Sequence, residues 1–362
     1  VYVADLSGNQ EVLPVLSTGR GTVRAELTGT QLVVIGAFEN LTSNFNPEIN
    51  GGSHLHVGYA GQNGGIEIVL SPTLEVDDRS GTFDAENNTF ELSQEQLVLL
   101  QNRQLYVNIH TEAHPSGEIR GQLVPEADDI YYTNLFGSNE VPAVMSTGYG
   151  ALVLERHDDE LIVTGSFAEL AGMYNSDIGS HLHRGLAGEN GGVELPLTPA
   201  LESDMRSGTY EAAANTFSLS AEQLVLLMSR SMYANIHSTL APAGEIRGQV
   251  RPSATAVFRA FLAGSNEAPP VTSSGGGQLL LELSGDQLTV TGTFSGLEGE
   301  LNTDIEGGAH IHTGYAGQNG GIVTPITVTQ EGGNRSGRFA ANDNQYTFEN
   351  SIISAMLARS YS

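Results

Sequence analysis

The chain has 362 residues, a length suited to two or three domains of ordinary size rather than one. Its 42 acidic residues outnumber 15 basic ones, all of them Arg, and the net charge of -27 repels nucleic acid and anionic lipid while favouring cations. Cysteine is absent, which excludes disulfides, thiolate metal sites, iron–sulfur clusters and cysteine nucleophiles, and no apolar run approaches the roughly 18–20 residues that cross a bilayer, so no membrane insertion is expected.

Read from the start, the chain says the same thing three times. An opening phrase, GNQEVLPVLSTGRG from Gly8, returns as GSNEVPAVMSTGYG from Gly137 and GSNEAPPVTSSGGG from Gly264. A His-x-His pair follows in each copy, as His54/His56, His181/His183 and His310/His312, each leading into a Gly-rich loop. The intervals, 127 and 129 residues, are too long for a solenoid or propeller repeat, so each copy is a whole domain. A closing phrase, LYVNIHTEAHPSGEIRGQL from Leu105, returns once, from Met232. This predicts domains at 1–125, 130–252 and 256–362, the third lacking its last strands, joined by brief linkers as a semi-rigid rod. The chain reads as a fragment of a longer array or a trimmed product. A strand from another chain is a second way to fill the gap in the third domain, with simple truncation the plainer one.

The second copy shows the elements most clearly. Residues 131–135, 150–156 and 160–167 alternate as strands, with a hairpin turn at 157–159. Short strands are expected at the Ser-His-Leu-His segment, at 193–197, 209–210, 216–219, 233–237 and 245–250. The one helical signature is a capping box, Ser220 with Gln223, ahead of 224–228; Ser93 with Gln96 repeats it, and Glu349 breaks it in the third copy. The fold class expected is all-β: tandem Greek-key-like β-sandwich domains, each with one short helix.

In a strand, residues i and i+2 share a face, so both imidazoles of each pair project together. His110 and His237, each ending an Asn-Ile-His strand, supply a third, and His114 a fourth in the first domain. Nine of the ten histidines fall in these clusters, which argues for ligands over isolated structural histidines. Three imidazoles from two strands suit copper or zinc, so His54, His56, His110, His114, His181, His183, His237, His310 and His312 are candidate metal ligands. Calcium is a further ion that exposed carboxylates could take, though no EF-hand spacing is present. The Gly-rich loops lack the P-loop Lys and the dinucleotide spacing, and read as turns needing positive φ. In GEIRGQ, Glu118, Arg120 and Gln122 share a face, either as an Arg–carboxylate pair on the surface or as an Arg steering an anion toward a metal. No Gly-x-Ser-x-Gly or other nucleophile pattern stands out.

Together, SHLHVG with its Gly-rich loop, LYVNIHT and GEIRGQL resemble the CHRD domain, named for its occurrence in chordin. The resemblance spans the whole chain, as two complete copies and one truncated. It implies a secreted or cell-surface β-sandwich. A fainter similarity links the His-x-His sandwich to Cu/Zn superoxide dismutase, in which His54, His56 and His110, or His181, His183 and His237, would stand for copper ligands; a bridging His with its zinc cluster is missing. The expected function is a non-enzymatic structural or binding protein of an extracellular assembly, with metal ions, other copies of itself or matrix components as partners. The alternatives are a copper-dependent redox enzyme and a metal-free recognition module for a protein or polysaccharide.

Overall fold

The computed structural model, which describes residues 1–358, is all-β with three short α-helices. The first repeat runs β1 (Tyr2–Ser7), β2 (Arg20–Thr28), β3 (Gln31–Glu39), β4 (Ser53–Val57), β5 (Ile66–Val69), β6 (Thr73–Leu74), β7 (Gly81–Phe83), β8 (Thr89–Glu91), α1 (Gln94–Gln101), β9 (Leu105–Ile109), β10 (Ile119–Gln122) and β11 (Val124–Pro125). These strands form one sheet of order β5-β4-β9-β10-β1-β2-β3-β7-β6, with β11 on β1 and β8 on β3. The sheet curls into a sandwich-like domain whose core includes Leu6, Val34, Leu55, Val107 and Ile119. Period-two alternation explains the choice of face: in β2, Val23 and Ala25 are buried while Thr22 and Glu26 point outward.

The second repeat copies this topology from Asp129–Phe136 to Arg251–Pro252. Every strand expected there forms, and Pro199–Leu201 is an addition. The brief linkers, expected at 125–129 and 251–255, begin as strand: Pro125 pairs with Tyr2, and Arg251 with Tyr132. Both capping boxes form with both reciprocal hydrogen bonds. Glu349 makes no side-chain cap bond, yet the helix Asn350–Leu357 forms because Ile352, Ile353 and Met356 pack into the third core.

The third repeat divides into a six-stranded sheet and a separate ribbon pairing His310–His312 with Ile322–Pro325. In the first two repeats it is β9 and β10, and their counterparts Met232–Ile236 and Ile246–Gln249, that join these halves. No such strands occur among the described residues of the third.

Consecutive repeats dock through a contact that recurs in detail. Arg103 donates two hydrogen bonds to the fully buried Glu155 (2.5 and 3.0 Å), and Arg230 donates to both oxygens of Glu282 (3.1 and 2.9 Å). Ser166 Oγ donates to the Ala60 carbonyl at 2.7 Å, and Thr293 Oγ1 to the Ala187 carbonyl at 2.9 Å. The array is more compact than the expected rod: Asn9, in the first repeat, donates to the carbonyls of Ala254 and Thr255, beyond the second. Among the described residues, no helix is long and apolar enough to cross a membrane.

Candidate metal centre

β4 aims His54 and His56 to the face opposite the core, where they meet His110 just past the end of β9. β4 lies between β5 and β9, and its register against β5 shifts between Leu55 and His56. The same irregularity falls between Leu182 and His183 and between Ile311 and His312, so each copy uses one bulge to set the second imidazole. Ring centroids stand 5.2 Å apart for His54 and His56, 5.0 Å for His54 and His110, and 5.8 Å for His56 and His110. The corresponding spacings for His181, His183 and His237 are 5.3, 5.4 and 6.1 Å. In each trio, one nitrogen per ring lies within 4.8 Å of the others, inside the reach of one ion.

The hydrogen bonds fix which nitrogen carries the proton. His54 Nε2 lies 3.0 Å from the Asn50 carbonyl, His56 Nδ1 3.1 Å from that of Gly64, and His110 Nδ1 3.0 Å from that of Pro115. A carbonyl only accepts, so each of these nitrogens holds the N–H, and in a neutral ring the other nitrogen offers a lone pair. Those other nitrogens, His54 Nδ1, His56 Nε2 and His110 Nε2, are buried and have no hydrogen-bond partner. His183 and His237 make the matching bonds to Gly191 and Pro242, both at 3.1 Å, and His181 bonds the backbone of Ile178. Again His181 Nδ1, His183 Nε2 and His237 Nε2 have no partner. Burial lowers the pKa of His56, His181 and His183 and pushes His110 and His237 down to about 4, keeping these rings unprotonated at neutral pH. Three inward lone pairs with no proton between them match the donor set of Zn(II) or Cu(II).

A stack supports the first trio. The Tyr106 ring lies parallel to His56 (5.1 Å, 10°), and the Arg120 guanidinium covers the Tyr106 ring at 3.4 Å. Arg120 also donates to the carbonyls of Gln62 (2.7 Å) and Tyr59 (3.0 Å), while Gly64 N–H donates to the Tyr106 hydroxyl (3.1 Å). Tyr233 and Arg247 repeat the arrangement over His183. Neither reading of GEIRGQ holds: Arg120 is 1% exposed and engaged with loop carbonyls, and Glu118 instead accepts from Ser17, Thr111 and the Thr42 amide. Tyr106, Asn108 and His110 stand at period two, so the sequence carried a signal for the tyrosine.

His114 is not drawn into the cluster. Its amide donates to Thr111, closing a turn that carries the side chain past the trio to a partly exposed position. His310 and His312 form the same oriented pair, with centroids 5.5 Å apart and bonds to the carbonyls of Ile305 and Gly320. No third imidazole joins them among the described residues.

Beside the trios lie two buried carboxyls that sequence reading missed. Glu11 hydrogen-bonds Asn108 and is pushed up to about 7 by burial, which the Arg120 charge offsets only in part. Glu140, with Asn235 and Arg247, is likewise raised by burial to about 7.

Neither the curated proteins nor the solved structures hold a match to the chain. A family model for the CHRD domain matches residues 2–123, 131–250 and 258–361. The chain therefore belongs to the CHRD-domain family, as a tandem array of three copies.

Proposed function

We propose that this protein is a non-enzymatic structural and binding module of an extracellular or cell-surface assembly, in which the first and second repeats each hold one copper or zinc ion. The observation that carries this reading is the convergence of three buried, unprotonated imidazole nitrogens with no hydrogen-bond partner, in each of two repeats. Unsatisfied buried polar atoms are costly singly, and six in two equivalent clusters need a common partner. His54, His56 and His110 would hold one ion, and His181, His183 and His237 the other. The ion would tie β4 and the end of β9 to the loops at 46–52, 58–65 and 110–117. Burial of the ligands beneath those loops favours a closed, structural site over turnover, since catalysis needs an open coordination position. Extracellular placement and partners among matrix components or other copies rest on family membership.

The test is metal content by mass spectrometry on natively purified protein, beside a His54→Ala/His181→Ala double variant. The proposal expects about two equivalents of copper or zinc, lost in the variant. Protein without metal, and a variant of unchanged stability, would leave an array of recognition modules.

A further inference from the structure

The two junctions share their hydrogen-bonded rim and differ at the centre. In the first, Val124 and Tyr132 pack with Ala60 and Val153 in an apolar cluster. In the second, Ala187 and Leu280 repeat the apolar pair, but Arg251 stands at the Val124 position and Arg259 at the Tyr132 position. Two guanidinium groups thus replace a valine and a tyrosine, and a cavity of about 80 Å³ opens between them.

That cavity lies where all three repeats meet. Asn9 from the first, Arg247 and Arg251 from the second, and Arg259 and Gln278 from the third all line it, and no Asp or Glu does. The chain carries 42 carboxylates and only 15 arginines, so three arginines around one cavity free of carboxylates run against its composition. Arg247 is spent on loop carbonyls and Asn190. Arg251, 4% exposed, donates one hydrogen bond, to the Pro252 carbonyl, and the carboxylate whose charge reaches it, Glu282, is already held by Arg230. Arg259 makes no hydrogen bond and no ion pair among the described residues, and meets only the Phe136 ring at 5.8 Å. Burial and the like charge of Arg251 push Arg259 down to about 10, and neither arginine forms an ion pair among the described residues.

We propose that the junction between the second and third repeats is an anion site, in which Arg251 and Arg259 clasp a small oxyanion of the phosphate or sulfate class. A guanidinium offers five N–H donors in a planar fork suited to two oxygens at once, and these two have most of theirs free. The Gln278 amide, which makes no hydrogen bond, adds a neutral donor beside them, whereas those of Asn9, Asn139 and Gln249 are already taken by backbone carbonyls. The first junction lacks this pair at its centre, where Val124 and Tyr132 pack with Ala60 and Val153.

The experiment is calorimetric titration of the full chain with inorganic phosphate, against chloride at matched ionic strength. One equivalent of phosphate is expected to bind. Arg259→Tyr, which restores the residue of the first junction, and Arg259→Gln, which removes charge with little change of bulk, are each expected to weaken binding by about tenfold or more. Circular dichroism identifies a variant that fails to fold, in which case the other decides. No uptake by the parent protein would overturn the proposal, and so would phosphate binding unchanged in a folded variant. A His54→Ala/His181→Ala protein is expected to bind phosphate as the parent does, which separates this site from the imidazole clusters.

Discussion

The first and third repeats begin alike and end differently, and the difference separates local from long-range causes. Both carry the His-x-His strand, the register shift before the second His, and a loop carbonyl that takes its Nδ1 proton. Strand and loop alone therefore orient a pair of imidazoles. The first repeat adds β9 and β10, which have no counterpart among the described residues of the third, and these bring the third imidazole, the tyrosine stacked on the second, and the arginine covering that tyrosine. The same strands account for Glu11, buried against Asn108 and Arg120, whereas its counterpart Glu267 is exposed. Orientation is thus a property of one hairpin, while burial and completeness come from strands some fifty residues away in sequence.

The strongest way to break the contrast is His110→Ala, which reduces the first repeat to the two-imidazole state of the third. Metal affinity at that site is expected to fall by more than the roughly 100-fold that losing a supporting hydrogen bond can cost. Chelator competition would measure it, with the second repeat as internal reference. Equal affinity before and after would show that His110 is no ligand.

Glu11→Gln tests the burial half of the contrast. The folded pKa, about 7, lies above the ordinary 4.5, so the protonated carboxyl contributes stability that is present below pH 4.5 and is lost as pH rises to about 7. Gln removes that dependence, and the variant should gain on the parent between pH 4.5 and 7.5 in urea unfolding. Comparing the two at each pH cancels the opposite contribution of the buried imidazoles. The same substitution at the exposed Glu267 is the control, and a parallel gain there would refute the burial argument.

The smallest effect concerns the helices. Ser93 and Ser220 cap theirs, and Glu349 does not. Glu349→Ser should slow amide exchange in the helix Asn350–Leu357, in line with about 0.5–1 kcal/mol for a single cap. Unchanged exchange would mean that core packing alone sets the stability of that helix.

Much of this was legible in the sequence because period-two alternation is unambiguous where one face is buried. The strands and the union of His54 and His56 with His110 follow from it, and the helix caps from the Ser-x-x-Gln spacing. His114 stands apart from the trio because the turn at Thr111 ends the strand, and the alternation with it. Arg120 was placed at the surface because charged residues usually lie there, but here loop carbonyls at Tyr59 and Gln62, far off in sequence, satisfy it in the interior. The raised Glu11 and the Arg251–Arg259 pair escaped for the same reason, since each depends on which distant segments meet. Gly61 was legible as a turn residue with φ of 86°, but not as a docking surface, where an added Cβ would lie 2.8 Å from Ser166 Oγ in the next repeat.

That loop has two sides with different obligations. Its inner edge, at Gly64, accepts the proton of His56, and its outer edge, at Ala60, accepts that of Ser166 in the following repeat. Tension along the array would therefore reach the imidazole cluster through four residues of backbone, and a joint pulled open would loosen the grip on an ion at the same moment.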